Sequence, residues 1–378
     1  MTNSHDVIVV GLGAMGSATT YELARRGRNV LGIDMFSPGH DQGSSHGHHR
    51  MIRKSSFRAD GYVPLAERAF ELWRELEGLT GQDLLKILGE VRLAFDSGLY
   101  SPDPGTAGMV EMLDEKSLNE RFPGFRLHEG MIATYEAEAG FLRPEACIAA
   151  NLLMAEKHGA SLHHNEEVTG WSINGAGVRV ETNKGSYTAG QLAITTGPWA
   201  AELLADLNLP MSVMRIVNGY FEPDRPDWWK AENGAPDFLL GVPEGNYYGM
   251  PSVDGIGLKI GRHENGEITT ARTIRRSIDD SEVDMLRNVL DLYMPGASGT
   301  LIQAVTCMYT NSVDDDFIVD RHPVHSQVVF GCGFSGRGFK FSGVVGEILT
   351  ELLTDGKTRH DIEFLSAGRF GNTPATVV

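Results

Sequence analysis

The sequence predicts an α/β chain, α+β overall, in which a mainly antiparallel-sheet domain is inserted into a parallel-sheet domain. Three observations carry that prediction. A β-branched run, Asp6–Val10 (DVIVV), is followed at once by a glycine-rich turn and a small-residue helix. The last third of the chain returns to buried strand and helix, with Val328–Phe330, a glycine-rich loop and then Val344–Leu353. Between them, from Val217 to Ile302, Trp228, Trp229, Tyr247 and Tyr248 sit among Gly, Pro and Asp in short alternating runs, which read as mostly antiparallel sheet. No repeat or low-complexity linker separates these zones, so the first domain is expected to be discontinuous. The expected division is 1–85, 143–215 and 300–378 for the first domain, and 86–142 and 216–299 for the second. A chain of 378 residues has room for two domains at about 150 residues each with insertions.

The elements follow from local signals. Asp6–Val10 is apolar without alternation, the mark of a strand buried on both faces. Gly11-Leu12-Gly13-Ala14-Met15-Gly16 opens a helix that runs through Ala24, and Asn29–Asp34 is a second strand ending in an acid. A helix Pro64–Leu76 is expected to begin at its proline, with Leu65, Ala69, Leu72 and Leu76 on one face. Another, Pro144–His158, begins in the same way and stops at Gly159. Val178–Thr182 and Tyr187–Thr188 flank the turn Asn183-Lys184-Gly185 and form a hairpin. Leu192–Thr195 is read as a further buried strand, broken at Gly197-Pro198.

Composition excludes several classes of function. Lys plus Arg is 33 against 50 for Asp plus Glu, a net charge of −17, which argues against nucleic acid or an anionic membrane as partner. Hydrophobic residues make up 41% and charged residues 22%, an ordinary globular balance rather than a disordered one. Cys147, Cys307 and Cys332 are widely spaced and form no CxxC pair, so neither a disulfide framework nor a zinc ribbon is expected. Met1–His5 is polar and Val7–Val10 is only a strand's length, unlike a secretory leader. No stretch approaches the ~18 apolar residues of a membrane span. The expected setting is a reducing cytoplasm, with no membrane partner.

The glycine motif has the context its chemistry requires. Gly11 makes the turn, Gly13 lets a pyrophosphate approach the backbone, and Gly16 lets helix pack on strand, with phosphates at the helix N-terminus. Asp34 follows Gly16 by 18 residues, at the end of the second strand, and suits a ribose hydroxyl better than a 2′-phosphate. A lone GxGxxG would be a weak signal; strand, turn, helix, strand and acid in register point to an adenine dinucleotide. The motif itself leaves FAD and NAD open.

Four further segments narrow the reading. They are Gly43-Ser44-Ser45-His46-Gly47-His48-His49-Arg50-Met51-Ile52-Arg53; Tyr248-Gly249-Met250-Pro251-Ser252 leading to Gly257-Leu258-Lys259-Ile260-Gly261-Arg262-His263; Cys307-Met308-Tyr309-Thr310 before Asp315-Asp316-Phe317-Ile318-Val319-Asp320; and Gly333-Phe334-Ser335-Gly336-Arg337-Gly338-Phe339-Lys340-Phe341. In this order and spacing the chain resembles the monomeric sarcosine oxidase and N-methyltryptophan oxidase family of flavoproteins, from about residue 6 to residue 355.

That resemblance implies a Rossmann-like FAD-binding domain with an inserted substrate domain, and FAD held covalently by a thioether from Cys307 to the 8-methyl carbon of the flavin. It implies that Arg53 and Lys340 grip a substrate carboxylate, which an Arg fork and a Lys ammonium can do. Arg50 stands beside the flavin with His46 in the same loop, Lys259 promotes reaction with oxygen, and Tyr248 and His263 line the substrate side. The cofactor contacts implied are Gly11, Gly13, Ala14, Met15, Gly16, Asp34, Ser44, Ser45, Arg50, Val168, Gly197, Gly336, Gly338, Phe339 and Lys340. Cys147 and Cys332 read as core.

The chain departs from the family pattern in places. His48 and His49 replace the usual Asp-Thr, Lys54-Ser55-Ser56 replaces a typical His-Ala-Tyr, and Val313 stands where proline is common. His46, His48 and His49 lack a matched carboxylate or cysteine, so no metal is expected there.

The implied activity is oxidation of a small secondary amino acid such as sarcosine to an imine, then aldehyde and amine, with oxygen reduced to hydrogen peroxide by a monomer. A carrier-linked dehydrogenase and a cousin of D-amino acid or glycine oxidase with non-covalent FAD are the enzymatic alternatives, both disfavoured by Cys307 and Lys259. A non-catalytic flavin subunit is disfavoured by Arg53, Lys259 and Lys340 together.

Overall fold

The structure, a computed structural model, describes residues 4–55, 61–95 and 108–371. Its first sheet has eight strands among these residues. Ser4–Val10 lies at its centre, parallel to Val30–Ile33 on one side and to Gly185–Ile194 on the other. Ser161–His163 extends the parallel set beyond Val30–Ile33, and Val328–Cys332 pairs parallel with Gly185–Ile194. Val7, Ile8, Val9, Val30, Leu31 and Ile33 have no exposed surface, as a strand covered on both faces requires. One cover is formed by the helices Ala14–Arg25 and Ser342–Asp355, which pack on each other and, through Leu23, Val344 and Ile348, on the sheet.

Two expectations need correction here. Tyr187–Thr188 and Leu192–Thr195 are not separate strands but parts of one, Gly185–Ile194, because Ala189 and Gln191 stay extended to pair with His5 and Val7. The helix expected from Pro64 runs over Tyr62–Thr80. Pro64 is its third residue, still within the first turn, where no N–H is needed for an intrahelical bond. Its true start is set by Tyr62, whose hydroxyl donates to Asp316 (3.1 Å) and accepts from Phe317 N (3.0 Å).

The second sheet has nine strands among the described residues, all antiparallel neighbours except the parallel pair Glu90–Phe95 and Asp237–Val242. Its order runs Glu267–Thr269, Met211–Glu222, Leu258–Arg262, Gly245–Met250, Asp237–Val242, Glu90–Phe95, Met131–Glu136 and Glu111–Leu113. Thr300–Ser312 also pairs along the whole of Met211–Glu222. Strict alternation gives the sheet two unlike faces. Val91, Leu93, Phe221, Phe238, Leu240, Tyr247, Leu258 and Ile260 point into a core closed by Leu286, Val289 and Leu290. These three belong to the helix Asp280–Tyr293, an element the sequence reading had taken for sheet. Trp228 and Trp229 likewise lie on a short helix, Pro226–Trp229. The intervening positions, among them Tyr220, Tyr248, Lys259 and Cys307, form the opposite face.

A small third sheet, Arg50–Ile52, Gly140–Leu142 and Leu85–Ile87, links the two. Among the described residues no helix is long and apolar enough to cross a membrane.

Candidate active site

A cavity of about 650 Å³ runs from the C-terminal end of the parallel strands toward the second sheet. Gly11 has φ +84, and a Cβ on Gly16 would lie 1.7 Å from the Gly11 carbonyl oxygen, so both glycines are required by the turn and the helix it opens. The helix Ala14–Arg25 has no side-chain cap and no acid in its first turn. Its free N–H groups therefore face the cavity as an anion seat. Asp34 Oδ2 accepts from Leu12 N at 2.7 Å and Oδ1 from Phe36 N at 2.8 Å, which fixes the carboxylate at the cavity wall with acceptor capacity left over.

Gly13, Ala14, Met15, Ser44, Ser45, Arg50, Val168, Gly197, Gly336, Gly338 and Phe339 line the same cavity. The hydroxyls of Ser44 and Thr196, on its wall, are buried without a partner. An elongated, mostly apolar cavity with an anion seat, a ribose-facing acid and spare donors fits an adenine dinucleotide. Gly16 does not line it but packs under the turn against Gly11 and Thr195, and His46, Arg53, Tyr248, Lys259, His263, Cys307 and Lys340 stand behind its far wall.

That wall is the site face of the second sheet. Cys307 pairs with Ile216 and Tyr309 with Met214, while Lys259 pairs with Met250 and Tyr220, and Tyr248 with Gly261, so their side chains emerge on one face. Arg50 bridges wall and cavity: it donates to Ser44 O (3.0 Å), to His49 O (2.8 Å) and to Cys307 Sγ (3.6 Å). Burial pushes the Cys307 thiol up, but the hydrogen bond from His46 and the charges of Arg50, His46 and Lys259 outweigh it and hold the thiol at about 6. Cys307 is thus a thiolate near neutral pH. Burial, with the charges of Glu77 and Glu145, drives Cys147 up, and burial drives Cys332 to about 12.

Lys259, 1% exposed, donates to the carbonyls of Gly47 and His49, both at 2.9 Å. Burial and then the Arg50 charge lower its pKa well below the ordinary lysine value, against the carboxylates of Glu145 and Asp237.

Arg53 and Lys340 come together because the strand Arg50–Ile52 packs on the turn Phe339–Phe341. Trp73 Nε1 holds that turn by donating to Lys340 O at 2.9 Å, and its ring stacks on Phe339. Both cations are buried. Arg53 Nε lies 4.0 Å from Glu90, and Lys340 Nζ donates to Arg337 O at 3.1 Å. Burial, then Arg53 and Arg337, lower Lys340 to about 7. His263 is held neutral, at about 3, by burial and by the charges of Arg337, Arg53 and Lys340. Its ring lies 5.4 Å from Tyr309 and 6.3 Å from Tyr248, whose hydroxyl donates to Asn218 at 2.7 Å.

The three loop histidines diverge. His46 turns to Cys307, and exposed His48 contacts Gln303 at 3.3 Å. His49 is fully buried, edge-on to Phe141 at 4.5 Å. Ser55 is buried in an ion network with Arg92, Glu90 and Glu136. Ser56 lies outside the described residues.

Sequence reasoning passed over Tyr309, although two residues after Cys307 on a strand means the same face. It also missed Asn218, Tyr220 and Glu145; of these only Glu145, an acid in the first turn after a helix-opening proline, left a local signal.

With this geometry the molecule is a flavin-type oxidoreductase in architecture. A model of the DAO family, FAD dependent oxidoreductases, matches residues 6–352, and the chain belongs to that family. It is 40% identical over 390 residues to a monomeric sarcosine oxidase of Streptomyces avermitilis, covering 99% of this chain and 100% of that one. It is 34% identical over 379 residues to an N-methyl-L-tryptophan oxidase of Escherichia coli, covering 97% and 99%. Among solved structures, the open form of NikD, an unusual amino acid oxidase, superposes with TM-score 0.84 at 24% identity over 97% of this chain and 98% of that chain. Glycine oxidase from Geobacillus kaustophilus superposes with TM-score 0.80 at 22% identity over 97% and 99%. These two likenesses speak to the fold.

Proposed function

We propose that the protein oxidises a small secondary amino acid, an N-methyl amino acid such as sarcosine, with FAD attached through Cys307 and oxygen as acceptor. The observation that carries this reading is the buried pair Arg53 and Lys340 behind the Cys307–Tyr309 wall, beside a neutral His263. FAD, when bound, supplies the acceptor for two electrons from the carbon next to nitrogen and passes them to oxygen, giving hydrogen peroxide. The Arg53 fork and the Lys340 ammonium hold the substrate carboxylate and so orient the amine toward the cavity. Tyr248 is pushed by burial to about 12 and Tyr309 is also raised, so both phenols stay protonated and wall the pocket. None of these groups is an ionised base, which suits an amine that enters neutral. Arg50 and His46 stabilise the Cys307 thiolate for attachment, and Lys259, anchored by the Gly47 and His49 carbonyls, supplies positive charge in its ammonium form where oxygen is reduced.

In this reading the working unit is a monomer in the cytoplasm, and the expected domain boundaries shift: Thr300–Ser312, expected in the first domain, belongs to the second sheet because it pairs along the whole of Met211–Glu222. The names of the relatives, sarcosine and N-methyltryptophan oxidases, support the substrate class.

The test is peroxide release across a panel of N-methyl and cyclic amino acids. One peroxide and one aldehyde per N-methyl amino acid consumed is the expected result. Oxidation that proceeds only with an artificial electron carrier would assign the chain to the dehydrogenases instead.

A further inference from the structure

Glu145 opens the first turn of the helix Pro144–Lys157, yet its carboxylate is spent outside that helix. Oε1 accepts from the backbone N–H of Gly47 at 2.7 Å and of His48 at 3.3 Å. Both residues are left-handed, Gly47 at φ +94 and His48 at φ 62. That conformation is unfavourable for a histidine and persists only when its surroundings hold it. Successive residues of this kind turn their N–H groups toward a common point, a concave seat for an anion. The carbonyls of the same turn face the other way. Gly47 O accepts from Tyr220 (2.8 Å), from Lys259 Nζ (2.9 Å) and from His49 N (2.7 Å), and His49 O accepts the second Lys259 bond at 2.9 Å. Reorienting the 47–48 peptide would therefore break the His48 N–H bond to Glu145 and withdraw the Gly47 carbonyl from Lys259 in one movement, while the Gly47 N–H bond to the same oxygen fixes the peptide before it.

We propose that Glu145 is the positioning residue for the Lys259 ammonium: its carboxylate locks the 47–49 turn, and the turn's carbonyls aim Lys259. The inference rests on the role given to Lys259 above. Backbone hydrogen bonds and the Arg50 charge outweigh burial and keep Glu145 ionised, so the lock stays closed at neutral pH.

Three variants separate reach from charge. Glu145→Gln keeps an acceptor of the same length without charge, Glu145→Asp keeps the charge but falls short of the turn, and Glu145→Ala removes both. Each holoenzyme is reduced anaerobically with dithionite and mixed with oxygen, with Lys259→Met alongside, and hydrogen exchange of the 44–50 segment is followed on the apoproteins. Misplacing a catalytic group by about 1 Å costs on the order of 100-fold. Glu145→Asp and Glu145→Ala are therefore expected to speed exchange and slow reoxidation by roughly 10- to 100-fold, and Glu145→Gln to restore both. If Glu145→Ala does not fold, the Asp and Gln variants decide alone. Exchange unchanged in Glu145→Asp overturns the lock. Faster exchange with normal reoxidation, while Lys259→Met is slow, overturns the link to Lys259. Normal reoxidation in Lys259→Met removes the reading of Lys259 and the inference with it.

Discussion

Lys340 is a cation whose charge depends on its company. Burial and the neighbouring Arg53 and Arg337 hold it at about 7, so the ammonium and the amine are both populated in the free protein near neutral pH. A carboxylate ligand beside it favours the ammonium. Above a pH of about 7, binding of such a ligand must therefore take up one proton, and affinity is expected to fall by about tenfold per pH unit until the bound-state pKa is passed. Below that range Lys340 is already charged and affinity is level. The measurement is titration of the flavin spectrum with a simple carboxylate such as methylthioacetate at several pH values. Lys340→Met should bind more weakly by about 2–5 kcal/mol and lose the slope. A flat profile in the unaltered protein would remove Lys340 from the carboxylate site.

Among the elements, the site face of the antiparallel sheet holds an unusual row. Glu136 pairs with Glu90, and Glu90 with Asp237; two strands further on, Lys259 pairs with Tyr220. Arg92 satisfies Glu90 at 2.5 Å and Glu136 at 2.6 Å, but both oxygens of Asp237 are buried without a partner. Burial and the Glu90 charge raise the Asp237 carboxyl well above the ordinary value, against the opposing pull of Lys259. The unfolded chain therefore ionises Asp237 first. Its contribution to stability is full below the unfolded pKa of about 3.9 and is lost as pH rises toward the folded value. Asp237→Asn cannot ionise. Its thermal midpoint relative to the unaltered protein should climb as pH rises above about 4 toward the raised folded value. A constant difference across that range would show that Asp237 is ionised in the folded sheet.

At the scale of the molecule, the dinucleotide cavity joins the two sheets: one end is the turn after Ser4–Val10, and the other is the wall carrying Met308 and Tyr309. A ligand spanning both stabilises the folded state only, by about 2.7 kcal/mol at a hundredfold excess over its dissociation constant. In Cys307→Ser the flavin should be exchangeable, and the thermal midpoint should rise with added FAD. The unaltered protein should stay yellow after acid precipitation and show no such dependence once loaded. A colourless pellet from flavin-loaded protein would contradict attachment at Cys307.

What the sequence by itself determined is whatever depends on neighbours along the chain. The phosphate turn was legible because Gly11, Gly13, Gly16 and Asp34 act within one strand-turn-helix-strand unit. Lys259 between Leu258 and Ile260, and Tyr248 after Tyr247, declare by alternation that one side chain meets a core and the next meets something polar. The tertiary structure alone decided which faces meet. The bond from Glu145 to Gly47 spans 98 residues, and that from Arg50 to Cys307 spans 257. No local pattern encodes such pairings; they follow from strand register and sheet packing. The missed helix Asp280–Tyr293 is a different case: its capping box at Asp279 and Glu282 and its stripe Leu286, Val289, Leu290 and Tyr293 are local signals, overshadowed by the strand-like runs on either side. A thiolate, a neutral histidine and a half-charged lysine are products of burial and long-range charge, and these exist only once the chain has folded.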